Sequence, residues 1–537
     1  MNVLIPDGAA IESEDEDSET EDEPELNGMF LIEHNQNQYE KENRIVNKWF
    51  TGNQVNEKLA KQLKEEKDKA AEIVPDALEP IEYLDKFFDS EVYDLILAET
   101  IRYAHQLGDK KFKLEIGDLK TFIGILIVSS YCKVSRKRMY WQVNSDSHNE
   151  AIANAMARDT FHAIERYLHF CNNEHIDHQD KFFKIRSIVN LLNKKFLTNT
   201  CFNERCFDVD ESMVPYFGHH PTKQSIRNKP VRFGFKIFCL NQPSGYLVNC
   251  DPYQGKGSGH HQFSDFGLSG GTVLYLISTL PVKGYIYMDN FFSTIKLFNE
   301  LTRLGYGAIG TFRCNRLESI PRLDKKSSCG SYTCHSKENG SGDKVTVTQV
   351  LDNNIVSIGS NVIKSEPLKE LNRYSKAEKQ KVPIQFPGIL SDYNTNMGGT
   401  DKLDQFLSNY RISIRRKKFY YSIFNWFVSA SVYNSWIVYK KSGQDKHDFL
   451  DFSREIAVHL LSYSKRPKRG RPSTTTTSTT TTSTTAKSTP HCIDHITNGK
   501  RWRCSWCHKN TVYMCIGCES GFHPDGCFRR FHFPDSF

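Results

Sequence analysis

FDVDESMVPYF, residues 207–217, decides the fold. Apolar and acidic side chains alternate through Phe207-Asp208-Val209-Asp210, and Pro215 with two aromatics closes the run. That pattern predicts a half-buried strand running into a turn. An acid on an apolar strand is costly to bury and readily used as a ligand. Asp210 is therefore expected at the end of the strand, facing a site.

Similar short runs follow: RFGFKIFCL at 232–240, GYLVNC at 245–250 and GYIYMDN at 284–290. Helical patterns at Leu274–Leu280 and Ser293–Leu304 alternate with them, which predicts a mixed α/β domain over 206–407. The Gly-, Ser- and Lys-rich stretch 324–345 breaks the pattern, so roughly 313–385 reads as an insertion.

Upstream, 81–205 reads as helical. Asp89 is placed to cap a helix with Val92, Leu95, Ile96 and Tyr103 on one face, and further patterns fall at 118–131, 158–170 and 182–196. The chain turns helical again from Lys402 to Tyr439, so 408–464 reads as a second helical part. Residues 1–80 read as acidic and largely disordered, with a loosely held helix near 43–72. A basic and Ser/Thr-rich linker, 465–490, precedes a compact Cys/His-rich module at 491–537.

The 537 residues are too many for one core, and 38% hydrophobic content suffices for two or three. No apolar stretch is long enough to span a bilayer, and the N-terminus lacks a basic signal region, so neither a membrane span nor secretion is expected. The 15 cysteines then belong in a reducing compartment, as metal ligands or small apolar groups. The net charge of +6 conceals a segment, 1–28, with eleven acids and no Lys or Arg, leaving +6 − (−11) = +17 on the rest. A basic body fits a polyanionic partner.

Two further acids stand like Asp210. Asp289 ends the apolar run Tyr285-Ile286-Tyr287-Met288, and Asp401 follows Gly398-Gly399-Thr400 where a glycine turn opens a helix. Asp404, three residues on, shares its face. Hard Mg²⁺ or Mn²⁺ ions take carboxylate oxygens, and a two-metal site clamps the attacking and leaving oxygens of a phosphoryl displacement. By spacing alone, each Asp equally suits a helix cap or a turn.

The wording around these acids resembles the piggyBac transposase family. The resemblance rests on Asp210-Glu211-Ser212-Met213-Val214-Pro215-Tyr216-Phe217-Gly218, Asn228-Lys229-Pro230-Val231-Arg232-Phe233-Gly234-Phe235-Lys236, Asp289-Asn290-Phe291-Phe292-Ser293 and Tyr393 to Gln405. Thr400 departs from the Val usual there, a change not expected to affect metal binding. The resemblance implies an RNase H-like catalytic core with an insertion, flanked by a helical dimerisation and DNA-binding domain. It implies that Asp210, Asp289 and Asp401 hold metal, with Asp404 as a fourth carboxylate. It implies a homodimer that acts on double-stranded DNA, cutting transposon ends through hairpins and inserting at TTAA. A domesticated DNA-binding or chromatin protein without catalysis is the alternative.

The tail offers His495, Cys504, Cys507, Cys515, Cys518, His523, Cys527 and His532. Two CxxC pairs with Cys and His partners predict two tetrahedral Zn²⁺ sites, and the short gap between the pairs favours interleaving. His491 competes with His495 as ligand. A module this small depends on metal to fold, and its partner is DNA or a chromatin protein. Arg411, Arg415, Arg416, Lys417 and Lys418 are expected to contact phosphate beside the third Asp. Lys465 to Pro472 reads as a nuclear localisation signal, and Arg469 and Arg471 also suit an A·T minor groove.

Overall fold

The computed structural model describes residues 48–70, 74–144, 146–227, 229–255, 261–375, 379–464, 492–495, 501–524 and 526–532. The acidic segment 1–28, the linker 465–490 and with it Arg469 and Arg471 lie outside the described residues. The chain divides into two compact units, with the boundary at Pro467/Lys468.

Ten strands of the first unit form one sheet. They are β1 (Phe50–Thr51), β2 (Cys206–Pro215), β3 (Gln224–Ser225), β4 (Phe233–Asn241), β5 (Leu247–Pro252), β6 (Tyr285–Met288), β7 (Gly307–Phe312), β8 (Tyr332–Glu338), β9 (Lys344–Leu351) and β10 (Ile355–Ser360). β2 sits at the centre, antiparallel to β4 and parallel to β6, and β6 is parallel to β7. β3 and β5 both pair with β4. A parallel pair needs a crossover, and the helix Ile295–Arg303 supplies it between β6 and β7.

The insertion does not form a separate sheet. β10 pairs antiparallel with β7, and β9 and β8 continue the same sheet outward. Only β11 (Leu368–Ser375) and β12 (Gln380–Pro387) stand apart, as a hairpin-like pair. Order also begins earlier than Ile81. β1 pairs with β8, and the helix Glu57–Asp68 buries Leu63, so the expectation of a largely disordered 1–80 fails over 48–70. Lys/Glu-rich helices look solvated in sequence, whereas this one is held by buried Leu63, by the Arg205–Glu66 and Lys364–Glu57 ion pairs, and by Asn56 bonded to the Lys344 and Asn361 carbonyls.

The helices pack around one long member, Phe419–Lys441, which is buried on most sides. It touches the helices Pro80–Asp85, Phe183–Thr198 and Gly399–Asn409 and also β2. Its Asn434 side chain donates to the Leu247 carbonyl and accepts from the Leu247 N–H, both at 2.8 Å, stitching helix to sheet. Asp89 caps its helix by accepting from Val92 N–H, as its sequence predicts. The apolar helix Ile116–Tyr131 packs on Phe449–Leu461, where Gly124 leaves room for the Leu460 side chain and the Ala457 and Leu461 backbone. Among the described residues no helix is long and apolar enough to cross a membrane.

Candidate active site and metal centres

The parallel register of β2 and β6 sets Val209 opposite Met288. One step further along each strand comes an acid, Asp210 on β2 and Asp289 just past β6. The helix Gly399–Asn409 packs against β2 and brings Asp401 in its first turn and Asp404 on the same face. Gly398 sits at φ +118°, a left-handed conformation suited to glycine, which lets the chain turn into that helix.

Asp210 is not at a strand end. β2 continues through Ser212, Met213 and Val214 to Pro215 because β4 pairs with all of them. Asp289 does end its strand. Its carboxylate accepts from Phe291 N–H at 2.9 Å, and Arg316 fixes the following loop through the carbonyls of Asn290, Phe291 and Ser293.

The acids oppose one another's charge. Burial first, then Glu211 and Asp289, push the Asp210 carboxyl well above the usual carboxylate range. Burial and Glu211 raise Asp289 as well. Burial and Asp401 push Asp404 up to about 6, against a hydrogen bond from Ser212 Oγ. Such mutual destabilisation is the chemistry of a donor set suited to cations. Among the described residues the aspartate oxygens do not converge as closely as the tail ligands do, whose atoms lie within 4.8 Å of one another.

Three participants were not assigned a site role from sequence. Asp208 is buried and accepts from both the N–H and the hydroxyl of Thr400, which fixes the start of the Asp401 helix. Glu211 lies close enough to raise both Asp210 and Asp289. Lys229 pairs with Glu211 at 3.7 Å. The doublet Asp208 and Glu211 around Asp210 was a visible signal; nothing in the spacing pointed to Lys229.

Beside the acids opens a cavity of about 1520 Å³, lined by Glu211, Lys229, Asp401, Asp404 and the whole basic run from Arg411 to Lys418. Tyr216 Oη donates to the Lys417 carbonyl at 2.9 Å, tying that run to the end of β2. Arg415 and Lys417 are exposed. Arg416 instead pairs with buried Glu165 at 3.7 Å. Lys418 donates to the Arg166 carbonyl at 2.6 Å and lies over Tyr103 and Tyr420.

In the second unit the Cys/His residues sort into two groups. Cys504, Cys507, His523 and Cys527 form one, and Cys515, Cys518 and His532 the other. The two groups alternate along the chain and so interleave. His495 does not join the second group. It sits exposed at the end of a strand (Ile493–His495), its ring against Tyr513. His491 lies outside the described residues. Burial would raise the Cys504 thiol, but backbone N–H donors from Cys507, Trp506 and His523 bring it down to about 6. A thiolate so stabilised suits zinc.

Comparison with known proteins agrees with the geometry. A family model described as Transposase IS4 matches residues 79–436. The human piggyBac transposable element-derived protein 3 is 34% identical over 458 residues, 83% of this chain and 74% of that protein. The human piggyBac transposable element-derived protein 2 is 33% identical over 465 residues, covering 85% and 76%. A cryo-EM structure of a piggyBac transposase synaptic complex with hairpin DNA shares the fold, with TM-score 0.62 at 20% identity over 74% of this chain and 82% of that one. With its acids grouped around β2 and two thirds of its length matched by that family model, the chain belongs to the piggyBac transposase family.

Proposed function

We propose that this chain is a metal-dependent DNA transposase of piggyBac type, cutting and rejoining double-stranded DNA and inserting at TTAA. The observation that carries the reading is the β2–β6 register, which sets Asp210 beside Asp289, with the Asp401 helix docked on the same strand. The strand order β5-β4-β2-β6-β7, three antiparallel then two parallel, supports an RNase H-like core.

Asp210, Asp289 and Asp401 would hold Mg²⁺ or Mn²⁺, with Asp404 as fourth carboxylate. Bound divalent cations would offset the clustered negative charge and stabilise charge on the attacking and leaving oxygens. The chain's own contribution is placement. Asp208 and Thr400 fix the Asp401 helix, Arg316 fixes the Asp289 loop, and Ser212 orients Asp404. The basic wall of the cavity offers contacts to a phosphate backbone, through exposed Arg415 and Lys417 foremost. The second unit would hold two Zn²⁺, and DNA-end or chromatin contact is its proposed work. A homodimer acting in the nucleus completes the reading.

A second reading is a DNA-binding protein without catalysis. The names of the two human relatives, both transposable element-derived proteins, favour it. An excision assay in Mg²⁺ comparing wild type with Asp289→Asn decides. Activity lost in the variant is the expected result. Equal activity in both, or none in either, sinks the catalytic claim.

A further inference from the structure

Lys229 stands in the loop between β3 and β4, on the wall of the cavity that also holds Asp401 and Asp404. Its ammonium is 3.7 Å from the Glu211 carboxylate. Burial works against its charge, yet Asp210, Glu211, Asp401 and Asp404, in that order, hold its pKa above the ordinary lysine value. The neighbouring cations are differently engaged. Arg313 donates to Asn290, and burial and Arg415 work against the Arg411 charge while Asp404 supports it. Lys229 thus pairs with Glu211 and shares the cavity wall with Asp401 and Asp404.

A cluster of acids without cations repels itself, and an ammonium at its edge offsets that repulsion. Lysine is suited to a temporary post. It is a point charge on a flexible stem, where arginine would lock into a planar fork. When divalent cations arrive, a fixed positive charge beside them becomes unfavourable. Lys229 already lines the cavity, where a bound strand would present phosphates.

We propose that Lys229 is the resident counter-ion of the carboxylate site, competing with divalent cations and released by them toward a phosphate of the bound strand. This rests on the metal-site reading above.

The test uses the full chain and Mn²⁺ without DNA, measured by calorimetry or paramagnetic resonance. Lys229→Gln is expected to bind Mn²⁺ roughly fivefold more tightly than wild type, since one like charge is removed. Lys229→Arg keeps the charge and is expected to stay within twofold of wild type. In the unmutated protein, acetylation of Lys229 followed by mass spectrometry is expected to speed up at least about threefold when Mn²⁺ is added. That readout does not depend on any variant folding. Asp289→Asn is the control for the site. If Asp289→Asn loses Mn²⁺ binding while Lys229→Gln leaves it unchanged, or Lys229 acetylation ignores Mn²⁺, the counter-ion role is overturned and the metal site stands. If wild type and Asp289→Asn bind Mn²⁺ equally, both readings fall.

Discussion

Thr400 donates twice to one oxygen of Asp208: its N–H at 3.0 Å and its hydroxyl at 2.8 Å both reach Oδ2. Asp208 is buried, and it lies at the start of the helix that carries Asp401 and Asp404. A carboxylate there also meets the positive end of the helix dipole. The hydroxyl therefore has a structural role.

Thr400→Val removes one hydrogen bond to a buried acid and leaves the backbone one. Urea unfolding is expected to show a loss of about 1–2 kcal/mol. A change below about 0.3 kcal/mol would show that the hydroxyl is idle. Gly399→Ala is expected to cost more, about 3 kcal/mol, because a Cβ would stand 2.2 Å from both Asp208 Oδ1 and the Gln242 carbonyl.

These residues also mark how far the sequence could be read. Asp289 was legible because its apolar run stops at the acid, and β6 stops there too. The glycine turn before Asp401 was legible because φ > 0 needs glycine. The local pattern predicts a strand end at Asp210, but pairing with β4, a tertiary fact, carries β2 on to Pro215. The Asp208/Glu211 doublet is visible beside Asp210, but the pairings of Asp208 with Thr400 and of Lys229 with Glu211 join residues distant in the chain, which local pattern does not record. The Gly/Ser turns of the insertion break its local pattern, so the joining of β8, β9 and β10 to the main sheet is not legible in it.

The raised carboxylates give the metal-free protein a pH dependence of fixed sign. Burial pushes Asp208 up to about 7 and Asp404 up to about 6, from an ordinary value of 3.8. The folded state then holds protons that the unfolded state has released. Their stabilising effect is complete below about pH 4 and is lost as pH rises through 6 and 7. Burial pulls His169, stacked on Tyr103, down to about 4, so its effect has the opposite sign and stability falls as pH drops from 6.5 toward 4. In EDTA, the wild-type minus Asp208→Asn stability difference is expected to decline from pH 4 to 7 and then level. The wild-type minus His169→Gln difference should rise over pH 4 to 6.5. A flat Asp208 difference curve would mean the site is hydrated and unstrained.

Native mass spectrometry of the zinc-loaded chain is expected to give two zinc ions per chain. Cys504→Ser and Cys515→Ser should each lose one, from separate groups. His495→Ala should keep both, since His495 lies outside the second group against Tyr513. One zinc lost in His495→Ala would restore it as a ligand.

The basic run beside the acids is expected to divide by what each side chain already touches. Arg415 and Lys417 are exposed on the cavity wall and free to meet phosphate, so alanine at either should weaken DNA binding for all sequences alike. Each loss should lower the slope of log affinity against log salt by about 0.9, one phosphate contact. Lys418 is different. Its ammonium is spent on the Arg166 carbonyl and on two tyrosine rings, and burial pulls its pKa down to about 8. Lys418→Ala should therefore lower the melting temperature and leave the salt slope unchanged. A salt slope that falls equally for Lys417→Ala and Lys418→Ala would mean that DNA draws Lys418 out of its aromatic seat, and that the wall of the cavity rearranges on binding.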